Sequence, residues 1–255
     1  MKKILHIIIP FFLLIAVWWI VGAVNQFNPS LFPTPKGVWF AFLEMLREPG
    51  FFENIKDSMI RFFSGYLTAG VAAVILGLLL GWFQKAWAFV NPVVQLLRPI
   101  SPMAWMPFIV LFFGIGDLPA IVIIFLSAFF PVLLSTVSGV KNIDPVYLKV
   151  SKNYGVGQPQ VLLKVVFPSA FPKIMTGLRL AIGTAWIFLV AGEMAGSQSG
   201  LGYLIIDARN NLRNDMLMAD ILIIGLIGIL LDALAGLAER RIFKFWGIEG
   251  KAGEA

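Results

Sequence analysis

Few side chains of this 255-residue sequence could do chemistry, because it contains no cysteine and a single histidine, His6. The absence of cysteine excludes disulfides, thiolate metal sites and a cysteine nucleophile, and His6 has no partner at metal-ligand spacing. Neither G-x-x-x-x-G-K-[ST] nor G-x-S-x-G occurs in the sequence, so there is no phosphate-binding Walker loop and no nucleophile elbow. An enzymatic function, and a metal or cofactor bound by this chain, are therefore not expected.

The remaining candidates are ionisable residues inside apolar runs, where a charge costs roughly 2.5–3.5 kcal/mol at a helix centre. They are Arg61, Arg179, Glu193 and Asp232, with Asp220 near the end of a run. Arg61 and Arg179 are the counter-charges expected if an anionic solute passes. Glu193 lies in the small-residue stretch GEMAGSQSGLG, which would permit close helix approach or a narrow gate. Arg61, Arg179, Glu193 and Trp186 are the candidate pathway residues, although each ionisable residue also fits an ordinary polar contact between helices.

The composition indicates that membrane helices position these residues. The chain is 59% hydrophobic and 13% charged, with a mean hydropathy of +0.86, outside the balance of soluble proteins. The net charge of +6 comes from Lys and Arg residues scattered between apolar runs, which argues against nucleic-acid binding. The sequence predicts an all-α membrane protein in contact with the lipid bilayer.

About six transmembrane helices are predicted. The apolar runs lie within residues 1–30 and at Ser58–Phe83, Ser101–Ile115, Leu118–Val140, Ile174–Gly196 and Met216–Ala238. The first run follows MKK and is about twenty residues long, which favours a retained span over a signal peptide, the alternative. Several prolines interrupt the approach to the run at Ser101–Ile115, so that segment is expected to be a bent or partial helix buried against its neighbours.

Topology follows from the positive charges. Lys and Arg are in excess on the side that also holds the N-terminus, which predicts that both termini are cytoplasmic. The predicted domains are an N-terminal transmembrane helix (1–30), an extracytoplasmic amphipathic helix and connector (31–57), a five-helix core (58–245) and a cytoplasmic tail (246–255).

The extracytoplasmic helix is predicted from a capping signal, Thr34 followed by Pro35. Its apolar residues recur at helical spacing and are Val38, Trp39, Phe42, Leu43 and Leu46, opposite Lys36, Glu44 and Arg47. This pattern favours a helix on the membrane surface, with a packed connector as the alternative.

The loop 141–173 is longer than a simple connection requires. Asp144 and Pro145 predict a helix start and Gly155 a stop, with Val146, Val150 and Tyr154 forming one apolar stripe. A second short helix, PQVLLKVVF, is expected to begin at Pro159 and to end at Pro168. Its apolar residues Val161, Leu162, Val165 and Val166 share a face. The hairpin either packs beneath its own spans or docks into a groove of another protein.

Gly155, the run VVFP and the following SAFPKIMTGLRLAIGTAW resemble the cytoplasmic signature of permease subunits of type I ABC importers. Three further stretches are similar to sequences of the branch that serves nitrate, sulfonate, taurine and bicarbonate uptake. They are DSMIRFFSGYLTAG, QLLRPISPMAWMPFIVLFFGIG and GLRLAIGTAWIFLVAGEMAGSQSGLGYLI. The resemblance extends from about Leu31 to Phe245. It implies a MetI-like permease fold with a cytoplasmic coupling helix.

The resemblance also implies the partners. Cytoplasmic ATPase subunits would bind ATP and magnesium, an extracytoplasmic binding protein would deliver the solute, and a second permease, identical to this chain or different, would complete the pathway in the bacterial inner membrane. The residues expected to contact the ATPase are Lys149, Val150, Ser151, Tyr154, Gly155, Gly157, Phe167 and Pro168. The family's Glu-Ala-Ala is replaced here by Lys149, Val150 and Ser151, and its Leu by Phe167, so the salt bridge made by that Glu is not expected.

The expected solute is a small anion, namely nitrate, a sulfonate such as taurine, or a bicarbonate-like ion. The alternative within the same class is an aromatic vitamin precursor of the thiamine-pyrimidine or riboflavin type. An ion-coupled secondary carrier is a different class, which would show an inverted repeat and acidic residues near the membrane centre. The sequence shows no convincing repeat, and its acidic residues lie mostly toward the ends of the runs.

Overall fold

The computed structural model describes residues 9–10, 13–21 and 32–245, and every regular element within these ranges is helical. The predicted N-terminal span lies partly outside the described residues, but residues 13–21 are helical. The cytoplasmic tail predicted for 246–255 lies wholly outside them.

Ten helices are numbered here along residues 32–245. They are α1 (Pro35–Met45), α2 (Phe51–Trp82), α3 (Gln84–Leu97), α4 (Met106–Phe113), α5 (Asp117–Lys141), α6 (Pro145–Asn153), α7 (Gln158–Val161), α8 (Phe167–Gly196), α9 (Leu201–Asn210) and α10 (Asn214–Phe245). A short 3-10 helix, Pro102–Trp105, precedes α4, and a π-helical turn, Leu162–Val166, joins α7 to α8.

Four helical stretches within the described residues are long and apolar enough to cross a membrane: Phe51–Trp82, Asp117–Lys141, Gln158–Gly196 and Asn214–Lys244. The pair Gln84–Leu97 and Pro102–Phe113, bent by 83°, makes a possible fifth. This bend agrees with the expectation that prolines distort the segment before Ile115. The six-span count and the cytoplasmic termini remain predictions.

The chain divides into two compact units. One contains the described part of 1–58 with Ser199–Ile227, and the other contains Met59–Gln198 with the described residues from Gly228 onward. In the first unit, Thr34 caps α1 by accepting a hydrogen bond from the Gly37 amide at 3.2 Å, as predicted. The helix buries Val38, Ala41 and Met45. Trp39 and Leu46, predicted on the same apolar face, are 58% and 37% exposed, so the buried stripe is narrower than the sequence pattern suggested.

Small residues let the helices of the second unit approach closely. A Cβ added to Gly65 or Gly77 on α2 would lie 2.7 Å from Ile124 or 2.6 Å from Thr136 on α5. A Cβ on Gly177 of α8 would lie 2.5 Å from Ser135. In a membrane, where lipid offers apolar contacts of its own, such close approach provides the packing that holds helices together.

The prediction that Pro168 ends the second loop helix is wrong. The helix beginning at Gln158 runs on to Gly196, and Pro168 lies in the first turn of α8. Proline usually interrupts a helix because it lacks an amide donor and its ring clashes with the carbonyl one turn earlier. Here the turn before Pro168 is π-helical, and the Phe167 amide donates a hydrogen bond to the Leu162 carbonyl. The wider π-helical turn lets the helix continue through Pro168, whereas the sequence pattern had predicted that the helix ends there.

Candidate functional site

Arg61 is the centre of a buried ionic cluster in the second unit. Its Nη1 lies 2.7 Å from Glu193 Oε1, and its Nη2 lies 2.6 Å from Asp117 Oδ1. Arg61 and Glu193 are 3% and 1% exposed, whereas the Asp117 side chain is 65% exposed. The cluster links α2, α5 and α8, so two of the ionisable residues singled out by the sequence, Arg61 and Glu193, neutralise one another.

Asp117 was missed by the sequence analysis. It stands at the first position of α5, directly after the turn containing Gly114 and Gly116, both of which have positive φ. An acidic residue at a helix N-terminus is favourable for the helix dipole, so it gave no reason to expect a distant partner. The signal that could have identified it is its position at the edge of an apolar run, beside the Gly-Ile-Gly that precedes it.

Arg179 forms a separate cluster. Its Nη1 lies 3.1 Å from Glu239 Oε2, and its Nε lies 3.4 Å from Asp232 Oδ1. The Arg179 side chain is 46% exposed and the Glu239 side chain 10%, so this cluster reaches the surface of the unit while Glu239 is largely buried. Glu239 was also not anticipated, because it lies in the charged stretch ERR in the last two turns of α10. The structure thus places Arg61 and Arg179 in different ionic groups.

Trp186 lies between α2 and α10 within the second unit. Its ring packs edge-on against Phe62, with centroids 5.7 Å apart, and a Cβ added to Gly228 would lie 2.9 Å from its indole. The residue is only 7% exposed. Its role as a candidate pathway residue remains a prediction.

The loop helix α6 forms as its caps predicted. Asp144 accepts a hydrogen bond from the Val146 amide at 2.8 Å, Pro145 occupies the first turn, and Gly155 follows the helix with φ of +66°. A φ in this left-handed region disfavours any side chain, which explains glycine at the elbow. Gly157 has an ordinary φ of −64°, so backbone conformation does not require glycine there.

The loop has one buried face and one exposed face. Val161 and Val166 are buried with Val140, Ile143 and Ala170 in one apolar cluster, against which Leu162 and Val165 pack as partly buried residues. The loop therefore does pack against its own helices, through the apolar face predicted for its second part.

The other predicted stripe, on α6, is not covered within the described residues. Val146, Val150 and Tyr154 are 58%, 47% and 82% exposed. Lys149, Val150 and Ser151 stand at the positions of the family's Glu-Ala-Ala. Lys149 and Val150 are exposed. Ser151 is only 7% exposed, and its hydroxyl donates a hydrogen bond to the Tyr147 carbonyl at 2.8 Å. A small residue at Ser151 is thus explained by packing, whereas Lys149 and Val150 are available to another molecule.

An ion pair outside the second unit involves Arg213, next to the start of α10. Its Nη2 lies 2.8 Å from Glu44 Oε2, and its Nε lies 3.0 Å from Asp215 Oδ1. The hydrogen bond from Arg213 lowers the pKa of Glu44 below its ordinary value. Hydrogen bonds to Glu44 and then Asp215 raise the pKa of Arg213.

Comparison with known proteins identifies relatives that match most of this chain. Residues 70–244 match the family described as binding-protein-dependent transport system inner membrane component. A protein of Methanocaldococcus jannaschii named for ABC transporter permeases is 38% identical, over 86% of this chain and 84% of the relative. The taurine transport system permease of Escherichia coli is 31% identical, over 92% of this chain and 87% of the relative.

A nitrate import permease of Leptolyngbya laminosa is 32% identical, over 92% of this chain and 86% of the relative. Among solved structures, the fold is similar to a chain of the inward-facing methionine ABC transporter MetNI, with a TM-score of 0.54 and 19% identity. That alignment covers 73% of this chain and 95% of the MetNI chain. At this identity the similarity establishes the fold, and it confirms the predicted MetI-like architecture.

Proposed function

Because the chain belongs to the family of binding-protein-dependent transport system inner membrane components, we propose that it forms the membrane pathway for a small anion and docks its ATPase through α6. The family membership itself makes the chain a multi-pass permease subunit of an ABC importer. ATP hydrolysis belongs to a separate subunit, and a binding protein supplies the solute. The proposal concerns which anion passes and how the ATPase binds.

The exposed stripe of α6 is the observation that carries the docking proposal. Val150 and Tyr154 expose apolar surface at the tip of a loop whose opposite face is packed against the chain's own helices. An exposed apolar stripe on a short capped helix is the form that a groove on a partner recognises. With the N-terminus inside, this loop faces the cytoplasm, where the ATPase subunits bind ATP and magnesium.

The proposed solute is a small oxyanion or sulfonate. The relatives named above are permeases for taurine and for nitrate, which share a delocalised negative charge on oxygen atoms. These relatives do not favour the vitamin-precursor alternative.

We also propose that two permease chains enclose the pathway, with a second copy of this chain as the simplest partner. The glycine contacts described above pack α2 against α5 and α5 against α8, which leaves no room for a pore between the helices of either pair. A pathway along these helices must therefore be closed by another subunit.

The docking proposal is tested by purifying the tagged chain from membranes in mild detergent and identifying the recovered ATPase by mass spectrometry. The Val150→Asp variant places a charge on the stripe and is expected to lose the ATPase. Lys152→Asp introduces the same side chain at an exposed position on the opposite face of α6 and is the matched control. Recovery of the ATPase with Val150→Asp at the level of the control would show that the stripe is not the contact. Absence of an ATPase from the unaltered chain, under conditions that preserve complexes, would contradict the docking proposal itself.

A further inference from the structure

We propose that a cavity beside Arg98 is a solute site on the transport pathway, and that it binds an organic anion by its oxyanion head and its apolar tail together. This inference rests on the proposed function, because it assigns a place and a set of contacts to the anion. Arg98 was not among the pathway residues suggested by the sequence, where it stands in a proline-rich stretch between apolar runs.

The cavity lies in the second unit, where the bent segment α3–α4 meets α5 and α8. Its volume is about 420 Å³. Small-molecule sites in proteins commonly have volumes of about 300–1,000 Å³, so this cavity is large enough for a solute of a few heavy atoms. Arg98 and Trp105 come from the bent segment, Ser127 and Phe130 from α5, and Thr184 from α8.

Arg98 supplies the positive charge. It caps the C-terminus of α3, immediately before the break in the bent segment, and its side chain is exposed. Arg61, Arg179 and Arg213 are each held by two carboxylates, whereas Arg98 forms no salt bridge with any residue of the described ranges. An arginine that is not neutralised by the protein can offer its planar donors to an oxyanion.

The position of the cavity along α5 bears on the role of the Arg98 charge. The α5 residues that line it run from Leu126 to Ser135, near the middle of a helix that spans Asp117–Lys141. A charged side chain in a membrane domain is expensive to maintain and normally faces a cavity or a partner, and this cavity is the one that Arg98 lines. The helix break beside Arg98 also resembles the interrupted helices that form solute sites in other transporters.

Hydroxyl groups supply further polar contacts. Ser127, Ser135 and Thr184 all line the cavity. Ser127 donates to the Ile124 carbonyl at 2.8 Å, and Thr184 donates to the Ala181 carbonyl at 3.1 Å. Such bonds to the preceding turn are optional, because helix carbonyls also accept from backbone amides, and a hydroxyl can rotate its hydrogen toward an anion.

The rest of the wall is apolar. Leu126, Phe130 and Phe188 line the cavity along with Leu134 and Leu180. An inorganic ion would leave most of this surface without a contact, whereas a short carbon chain would cover it. The combination favours a sulfonate carrying a small organic tail over nitrate.

The first test is chemical labelling, in which an introduced cysteine is the only thiol of this chain, because its sequence contains no cysteine. Thr184→Cys is reacted in the assembled importer with an anionic methanethiosulfonate bearing a sulfonate group and with a cationic one bearing a trimethylammonium group. The ratio of the anionic to the cationic rate is expected to fall by about tenfold when Arg98→Gln is added, the order of effect of one nearby charge at intermediate dielectric. Arg98→Lys is expected to retain the higher ratio.

Thr176→Cys provides the matched control, because it lies two turns earlier on α8 and outside the cavity. Its rate ratio is expected to be insensitive to Arg98→Gln. Ethanesulfonate is expected to slow labelling of Thr184→Cys and not of Thr176→Cys. A ratio at Thr184→Cys that does not change with Arg98, or labelling that ethanesulfonate does not slow, would overturn the assignment.

The second test is transport by the complete importer in proteoliposomes, using radiolabelled ethanesulfonate, which carries one sulfonate and a short apolar tail. Arg98→Gln is expected to reduce uptake at least tenfold, and Arg98→Lys is expected to retain more uptake than Arg98→Gln. Full uptake by Arg98→Gln would refute the site and leave the proposed function standing. If the unaltered importer takes up nitrate but not ethanesulfonate, the organic-anion assignment fails while the importer function holds.

Discussion

Arg61 and Glu193 are 132 residues apart in the chain and lie within 2.7 Å of each other, both almost fully buried. Taking two such charges out of water is costly, and the cost is recovered only when the pair remains intact. The pair therefore acts as a specific connection between α2 and α8, and Asp117 extends it to α5 from a more exposed position.

Replacing Arg61 with Gln is expected to destabilise the protein strongly, because Glu193 would remain buried without its partner charge. Breaking a buried pair from one side typically costs about 3–5 kcal/mol. Unfolding in detergent, followed as a function of denaturant, measures the loss. Asp117→Asn is the control, since Asp117 is mostly exposed and should cost much less. If the two variants lose similar stability, burial does not govern this cluster.

Gly177→Ala and Gly183→Ala form a matched pair on α8. A Cβ at Gly177 would lie 2.5 Å from Ser135 Cβ, whereas a Cβ at Gly183 would meet nothing within 4 Å. Overpacking at Gly177 is expected to cost about 1–3 kcal/mol. Gly183→Ala is expected to gain up to about 1 kcal/mol from helix propensity. Comparing the two denaturation midpoints checks the close approach of α5 and α8, which a midpoint for Gly177→Ala at or above that of the unaltered protein would contradict.

Gly155→Ala and Gly157→Ala distinguish backbone strain from crowding at the elbow. Neither added Cβ would meet an atom within 4 Å, but only Gly155 has a positive φ, of +66°. Gly155→Ala is expected to cost about 1–2 kcal/mol and to weaken recovery of the ATPase. Gly155→Asn should be milder, because asparagine tolerates this conformation. Equal effects of the two alanine variants would mean that the elbow does not depend on its left-handed residue.

Acid should weaken the contact between Glu44 and Arg213. The hydrogen bond from Arg213 lowers the pKa of Glu44 below 4.5 in the folded protein, so the folded state favours the ionised carboxylate. Its stabilising contribution is present above the unfolded pKa of 4.5 and is lost as the pH falls through the lower folded value. The effect is small, since the side chain is 51% exposed.

The measurement is thermal stability against pH for the unaltered chain and for Glu44→Gln. The difference between the two curves should shrink below pH 4.5, the ordinary value for glutamate. Curves that stay parallel through this range would show that the pair does not contribute.

Local signals predicted local structure well. Thr34 and Asp144 cap α1 and α6 as expected, because a capping bond depends on residues two or three positions apart. The long apolar runs likewise predicted α2, α5, α8 and α10, whose length and composition follow from the bilayer. The loop stripe of Val146, Val150 and Tyr154 was identified by helical spacing and is exposed as a docking surface requires.

Long-range pairing could not be predicted in the same way. Arg61 and Arg179 were candidate counter-charges for an anionic solute, with a polar contact between helices as the alternative, and the sequence could not identify the carboxylates 53 or more residues away that each of them meets. Nothing in the spacing of one helix specifies which residue of another lies opposite. Arg98 was overlooked because it was counted among the positive charges of the cytoplasmic side, whereas it lines a cavity together with residues of α5 and α8.

Three glycines of α2 fix its register against α5. Gly65, Gly77 and Gly81 face Ile124, Thr136 and Val140, so both helices repeat the same intervals of twelve and then four residues. Two helices whose glycines and facing side chains recur at identical intervals cannot slide past each other by one turn, because larger side chains would then collide at each of these contacts. During a transport cycle α2 and α5 are then expected to move as a single rigid body, because a shift in their register would bring side chains into collision at all three glycines.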